Sequence, residues 1–321
     1  MTQKPHDPAL MDSLCRRIHA GETKTDIEIE TKISRTTLNK YYKRWLANQN
    51  PAAPRTMSEL RQKYVAEKPL EKSPRILFAD TECLPNKGYF FRTWTKQNVP
   101  IPTDFIRKHY SLCSIAWKWL GNPTTTVITN ADFPEFDKDP YDDKGILSAF
   151  LPEWEKADYI VMHNGKRFDK RVIATRLQIN GMQSLPPATI VDTLQLARTH
   201  FDLNSNKLDY IAKLLEVGEK ISTSASLWVR CAEGDREAMM EMAQYNARDV
   251  DVLEWCFVRM LPHIKTPINH NVLADSPVAL CKQCGSENIV QRGMEIMQTS
   301  IRHRWFCNDC GSWSVFPAKK K

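Results

Sequence analysis

Apolar positions recur along this chain in two rhythms. Between residues 8 and 47 they fall at helical spacing. Leu10, Leu14 and Ile18 lie four apart in a run opened by Pro8, and Leu38, Tyr41, Tyr42 and Trp45 share one side of a later run. The pattern predicts three short helices: Pro8–His19, ended by Gly21, then Thr25–Glu30, then Arg35–Leu46 with Ser34 as its N-cap. Residues 48–75 hold Asn-Pro, Ala-Pro, Lys-Pro and Ser-Pro steps, which mark a linker with one helix around Ser58–Ala66.

From Arg75 the rhythm changes. Ile76-Leu77-Phe78-Ala79-Asp80 is apolar on both faces, as a central strand would be. Leu112–Leu120 and Thr124–Thr129 are β-rich runs joined by Gly121-Asn122-Pro123, an antiparallel hairpin. A helix over Gly145–Lys156, a strand at Tyr159–Met162, a helix over Asp169–Ile179 and a strand at Ala188–Val191 follow. Helices over Leu208–Leu215 and Arg236–Arg259 complete the segment. Three antiparallel strands followed by helix-alternating parallel ones predict an α/β fold, a mixed five-stranded sheet with flanking helices.

Charge adds a second layer. The 321 residues carry a net +7, and residues 1–50, 51–75 and 266–321 each contribute +3, against −2 over 76–265. Basic flanks suit a polyanionic ligand, and an acidic centre suits a site where cations act as intermediaries. No apolar run is long enough for a bilayer and residues 1–14 lack a signal-peptide pattern, so the expectation is a soluble cytoplasmic protein of a bacterium or phage-infected cell, without a membrane partner. Four of the nine cysteines form two Cys-x-x-Cys pairs. The other five (Cys15, Cys83, Cys113, Cys231, Cys256) are scattered and read as reduced thiols.

Three groups of carboxylates stand out. Asp80 and Glu82 are two apart at a strand end and project together, while Thr81 points away. Side by side they repel, and a divalent cation between them removes that cost. His163-Asn164-Gly165-Lys166-Arg167-Phe168-Asp169 ends the fourth strand, where Asp169 reads equally as a helix N-cap. Tyr245 and Asp249, four apart on a helix, share one face, and taken alone they read as a core tyrosine beside a surface acid.

In this order, Asp80-Thr81-Glu82, Asn164…Phe168-Asp169 and Tyr245…Asp249 resemble the three motifs of the DEDD (DnaQ-like) 3′→5′ exonuclease superfamily. The tyrosine resembles that of the DEDDy branch, and the set is similar to stand-alone RNase H-like exonucleases that resemble the family B polymerase proofreading domain. Asp192-Thr193-Leu194 and Lys207–Ala212 add to the resemblance, which covers about residues 74–262. It implies an RNase H-like fold and a phosphodiester hydrolase that releases nucleoside 5′-monophosphates from DNA, or from RNA, in replication, repair or degradation. It further implies two Mg²⁺ or Mn²⁺ on Asp80, Glu82, Asp169 and Asp249, which supply an activated water and stabilise the leaving 3′ oxygen. Tyr245 would orient that water, Asn164 and Phe168 would touch the terminal nucleotide, and Asp192 would cap a helix. With no polymerase motif present, proofreading would require a replication or repair partner. The chain departs from the compact pattern in a 27-residue insert, Cys83–His109, holding Tyr89, Phe90, Phe91, Arg92, Trp94 and Lys96. These residues suit base stacking and phosphate contact as well as packing on the sheet.

The flanks read as separate modules. Cys281-x2-Cys284-Gly285 and Cys307-x2-Cys310-Gly311 lie 22 residues apart and predict a small β zinc ribbon with one structural Zn²⁺. Arg292, Arg302, His303, Arg304, Trp305 and the Lys319–Lys321 tail suit nucleic acid, although such ribbons also contact proteins. The N-terminal helices resemble a helix-turn-helix of the resolvase type, offering Arg35, Thr36, Thr37 and Lys40 to a DNA groove; a bare three-helix bundle is the other reading. The expected boundaries are 1–50, 51–73 for the linker, 74–265 and 266–321.

Two rival functions fit parts of this picture. Helix-turn-helix, RNase H-like core and zinc ribbon also occur together in RuvC-containing transposon endonucleases. In those a catalytic Asp follows the zinc cysteines, whereas here Phe316, Pro317, Ala318 and lysines stand in its place. The second is a DNA-binding regulator with an idle nuclease fold, against which the presence of all four acids counts.

Overall fold

A computed structural model of the chain describes residues 7–19, 22–49, 73–89, 102–218, 221, 223–273 and 279–317. Gly21, the helix expected around Ser58–Ala66, the insert residues Phe90, Phe91, Arg92, Trp94 and Lys96, and the Lys319–Lys321 tail lie outside them. The chain divides into two compact units, Met1–Gln62 and Lys63–Lys321.

In the first unit the helical rhythm produces α1 (Pro8–His19), α2 (Lys24–Thr31) and α3 (Arg35–Gln49). Thr23 caps α2 by accepting from the Asp26 N–H at 3.2 Å. The helix stops at Lys32, whose φ of +59° is left-handed and whose N–H returns to the Glu28 carbonyl. Ser34 caps α3, accepting from the Thr37 N–H at 3.3 Å. Met11, Leu14, Ile27, Ile33 and Leu38 form the core. Leu10, expected beside Leu14, is instead exposed, and Met11 takes the inward position.

The second unit is built on a sheet in the order β5-β4-β1-β6-β7. Its strands are β1 (Ile76–Leu84), β4 (Ser111–Trp119), β5 (Thr126–Thr129), β6 (Tyr159–Met162) and β7 (Thr189–Asp192); β2 (Lys87–Gly88) and β3 (Ile106–Lys108) form a separate two-stranded ribbon within the insert. β1 pairs antiparallel with β4 and parallel with β6, as the alternation of elements required. The helices are α4 (Lys144–Lys156), α5 (Asp169–Ile179), α6 (Thr193–His200), α7 (Leu208–Leu214), α8 (Ala225–Ala232) and α9 (Arg236–Met260).

Strand alternation sends β1 side chains into two layers. Leu77 and Ala79 join Ile115, Trp117, Phe150, Trp154, Ile173 and Leu177 beneath α4 and α5. Phe78 faces the other way, its ring 5.6 Å from that of Phe257 on α9. Lys118 of β4 also points there, fully buried, and is met by Asp251 at 2.6 Å and Glu254 at 2.8 Å. Removing one partner of such a buried ion group costs about 3–5 kcal/mol, because the rest stay buried without compensation.

The first strand does not end at Glu82. Glu82 pairs with Ser114 and Cys83 with Leu112, so Cys113 is an extra residue on β4. This bulge lets β1 continue to Leu84, which is buried against Cys113, Leu227 and Met242. Two helices that the periodicity did not single out, α6 and α8, are present, each only eight residues long. The five scattered cysteines are free thiols; burial pushes Cys231 up to about 12 and raises Cys83 and Cys113 well above the ordinary thiol range.

At the C-terminal end β8 (Ile289–Ile296), β9 (Ile301–Cys307) and β10 (Trp313–Pro317) form an antiparallel sheet in the order β10-β9-β8. Its hydrophobic cluster, among the described residues, is Cys281, Cys307 and Cys310 with Cys284 and Ile289 packed alongside; Leu280, Ser312 and Ser314 are also buried. Several hydrogen bonds join the segment to the rest of the unit, among them the Ser312 hydroxyl donating to the Leu261 carbonyl at 3.1 Å and the Thr266 hydroxyl donating to the Gln283 side-chain carbonyl at 2.6 Å. Among the described residues no helix is long and apolar enough to cross a membrane.

Candidate active site

Asp80 and Glu82 face α9 from the end of β1, and α9 is shaped to receive them. Its inward stripe runs Met239, Met242, Asn246, Asp249, Leu253, at steps of three and four. The fully buried Asn246 amide donates to Asp80 Oδ2 at 2.7 Å, and its carbonyl accepts from the Ser114 hydroxyl at 2.8 Å. Glu82 accepts from the Trp228 indole N–H of α8 at 3.3 Å. One turn beyond Asn246, the buried Asp249 completes the group. Asp80, Glu82 and Asp249 each offer an oxygen within 4.8 Å of the others.

Tyr245 sits one turn before Asp249 and is hydrogen-bonded to it. Its ring meets that of Trp228 edge-on at 5.8 Å. Burial, and then the charges of Asp249, Glu82 and Asp80, raise its phenol well above the ordinary tyrosine range.

Asp169 approaches from the opposite layer. β1 pairs with β6 only through Ile76–Phe78, so farther along its edge the Thr81 N–H has no strand partner. The Asp169 carboxylate takes that place: Oδ1 accepts from the Thr81 N–H at 3.1 Å and from its hydroxyl at 2.7 Å. Asp169 is thus the first residue of α5 and not its N-cap, a position held by Phe168. Its carboxylate lies outside the three-acid group but is fixed to the residue between Asp80 and Glu82. Burial pushes it up to about 6, against the lowering effect of the Thr81 bonds.

The loop that delivers Asp169 is organised by Asp192. As expected, Asp192 caps α6, accepting from Leu194 and Gln195, and it also accepts from the N–H groups of Asn164 at 3.0 Å and Lys166 at 3.2 Å. Asn164 adopts a left-handed φ of +69°. A Cβ on Gly165 would fall 2.3 Å from Met162, so only glycine fits there. Phe168 is left exposed on the wall of a cleft of about 600 Å³, with Tyr110, Arg167, Arg171, Thr175 and Trp228. Cys83, next to Glu82, lines the same cleft.

Sequence reasoning missed Asn246, Ser114 and Trp228 and gave Thr81 no task. Asn246 had a signal, a polar residue on an otherwise apolar inward stripe. Trp228 had none, since its helix was not expected.

Three carboxylates converging on one point, all hard oxygen donors, suit a divalent cation such as Mg²⁺ or Mn²⁺. A second donor set is chemically different. Cys281, Cys284, Cys307 and Cys310 bring four sulfurs within 4.8 Å of one another. Gly285 and Gly311, with φ of +71° and +73°, turn back so that their N–H groups donate to the carbonyls of Cys281 and Cys307. Soft sulfur donors in this number suit zinc. On α3, Thr36 and Lys40 are exposed, whereas Arg35 pairs with Glu28 at 2.8 Å and the Thr37 hydroxyl meets Ser34 at 3.0 Å.

Residues 124–260 match the family model of the RNase_H superfamily, a span that includes Asp169, Tyr245 and Asp249. No curated protein matches the chain. Among solved structures, the chain is similar to the family B DNA polymerase from the hyperthermophilic archaeon Pyrobaculum calidifontis, with a TM-score of 0.43 and 16% identity over 61% of this chain. It spans 26% of that polymerase.

Proposed function

From the RNase H-like domain that the chain carries, we propose that it is a metal-dependent nuclease that shortens DNA from the 3′ end, with RNA as a second candidate substrate. The observation that carries this reading is the meeting of Asp80 and Glu82 with Asp249, with Asp169 tied to Thr81 between the first two. Asp80, Glu82, Asp169 and Asp249 would hold two Mg²⁺ or Mn²⁺. When bound, these ions provide an activated water and neutralise charge at the departing 3′ oxygen.

The protein's own groups divide the remaining work. Asn246 holds Asp80 and Trp228 holds Glu82 in fixed rotamers. Tyr245, one turn from Asp249 on the same face of α9, is placed to orient a water or a phosphate oxygen. Phe168, with Tyr110 and Trp228 in the same cleft, supplies aromatic surface for terminal bases, and Arg167 and Arg171 supply positive charge for phosphates. In the same proposal the four cysteines hold one structural Zn²⁺, and the N-terminal helices act as a helix-turn-helix that positions duplex DNA through Thr36 and Lys40.

The test is digestion of 5′- and 3′-labelled DNA and RNA strands with Mn²⁺. The expected outcome is a ladder of shortening 5′-labelled products, immediate release of labelled mononucleotide from the 3′-labelled strand, and an intact single-stranded circle. Opening of the circle, or first release of the 5′ label, would overturn the reading.

A further inference from the structure

One face of the C-terminal sheet is unlike the rest of the surface. In register, Val290 of β8 lies opposite Phe306 of β9, and Phe306 opposite Trp313 of β10, so the three share a face. The rings of Phe306 and Trp313 lie 5.3 Å apart, and Trp313 is 51% exposed. The guanidinium of Arg292 lies 4.4 Å over the Phe306 ring. Between Gln291 and Met294 the strand bulges at Gly293, whose φ is +83°. A Cβ there would stand 2.9 Å from the Arg304 guanidinium, so the glycine gives Arg304 its place beside the same rings. Arg302, two residues along β9, extends the row, with Glu295 opposite it as the acidic member of the face.

What sets these arginines apart is their grouping on one exposed sheet face beside aromatic rings; many arginines elsewhere are tied down. Arg17, Arg35, Arg75, Arg176, Arg230 and Arg236 are each tied to carboxylates. Among the described residues, Arg292, Arg302 and Arg304 form no ion pair. The rings on the other side of the sheet serve an internal purpose: Lys282 sits 5.0 Å over Phe316 and donates to the Val315 carbonyl. An exposed sheet face with two adjacent aromatic rings, one of them covered by a guanidinium, and three guanidiniums outside any ion pair has the chemistry of a stacking platform for unpaired bases, with positive charge along the phosphates. A protein partner of the usual apolar kind would leave those charges uncompensated.

We propose that this face, built from Arg292, Arg302, Arg304, Phe306 and Trp313, binds single-stranded nucleic acid. The bases stack on Trp313 and on the Arg292 guanidinium that covers the Phe306 ring, and Arg302 and Arg304 contact the phosphates, whether or not the carboxylate site cleaves the strand.

The test uses the full chain loaded with zinc and carrying Asp80→Asn, so that the probe survives. Fluorescence anisotropy follows binding of a labelled single-stranded DNA and an RNA of the same sequence across a salt series. Trp313→Ala is expected to weaken binding about fivefold or more, because one base no longer has a ring to stack on. Arg302→Gln with Arg304→Gln is expected to lower the slope of log Kd against log salt by about 1.4, at about 0.7 for each phosphate that is no longer neutralised. A weakening on both strands assigns the face to features that DNA and RNA share, and a weakening on one identifies the strand it takes; either supports the proposal. Unchanged Kd and slope in variants that retain their zinc would overturn it. So would a weakening that accompanies a change from dimer to monomer in light scattering, since the face would then hold a second copy of the chain.

Discussion

The carboxylate group and the cysteine group collect their ligands by opposite routes. Asp80, Glu82 and Asp249 come from a central strand and a long helix whose positions are set by a large apolar core, so the acids are held together by packing that does not involve them. The four cysteines lie between residues 281 and 310, and the segment around them buries few apolar side chains besides the cysteines themselves. In the first case the fold makes the site, and in the second the site makes the fold. Ion removal should therefore have different consequences at the two places.

The largest expected effect is on the C-terminal segment. Structural zinc contributes about 10–16 kcal/mol in apparent binding free energy to segments too small for their own core. A strong chelator, or Cys307→Ser, is expected to unfold residues 279–317 while the five-stranded sheet stays folded. Hydrogen exchange would read this as reduced protection in β8–β10 alone, and metal analysis should return one zinc per chain. Retained protection without zinc would remove the contrast between the two regions.

Next come the acids. Asp80→Ala or Asp249→Ala is expected to abolish nucleotide release, a drop beyond the roughly 10–100-fold that follows removal of a group supporting a metal ligand. The melting temperature should hold or rise, because one of three mutually repelling charges has gone. A thermal scan beside the digestion assay checks both halves. A large fall in stability would mean that the acids hold the fold together.

The same contrast explains what could be read from the sequence. Strand Tyr159–Met162, a short apolar run, and helix Asp169–Ile179, with Val172, Ile173 and Leu177 at helical spacing, match their expected bounds. The mixed sheet followed from the alternation of such elements. The grouping of Asp80, Glu82 and Asp249 came from motif order, since no local pattern links residues so far apart. What stayed hidden depends on tertiary partners. β1 runs past Glu82 only because Cys113 bulges out of β4, and Thr81 reaches Asp169 only because β6 has ended. Helix α6 was signalled only by Asp192 as its cap, and α8, which brings Trp228 to Glu82, by no feature that was read.

A smaller effect is expected at Asn246, which belongs to the packed side of the comparison. Asn246→Ala leaves Asp80 without its amide donor and Ser114 without its acceptor. Turnover is expected to fall about 10–100-fold, with half-saturation by Mn²⁺ moved to higher concentration, as for other groups that orient a metal ligand. Manganese titration of activity measures it. A variant with normal turnover and normal metal affinity would mean that Asp80 needs no support.

The smallest effect is expected at Trp228, and it separates the two tasks assigned to that side chain. The indole N–H reaches Glu82 at 3.3 Å, while the ring both meets Tyr245 edge-on and walls the cleft. Trp228→Phe keeps an aromatic wall and removes only the donor. A net hydrogen-bond contribution of about 0.5–1.5 kcal/mol corresponds to a roughly two- to tenfold fall in kcat, with KM for an oligonucleotide unchanged. Trp228→Ala removes the wall as well, so KM should rise along with the fall in kcat. If the phenylalanine variant raised KM and left kcat alone, Trp228 would act on the substrate and not through Glu82. The acid group would then be held by α9 and β4 without help from α8.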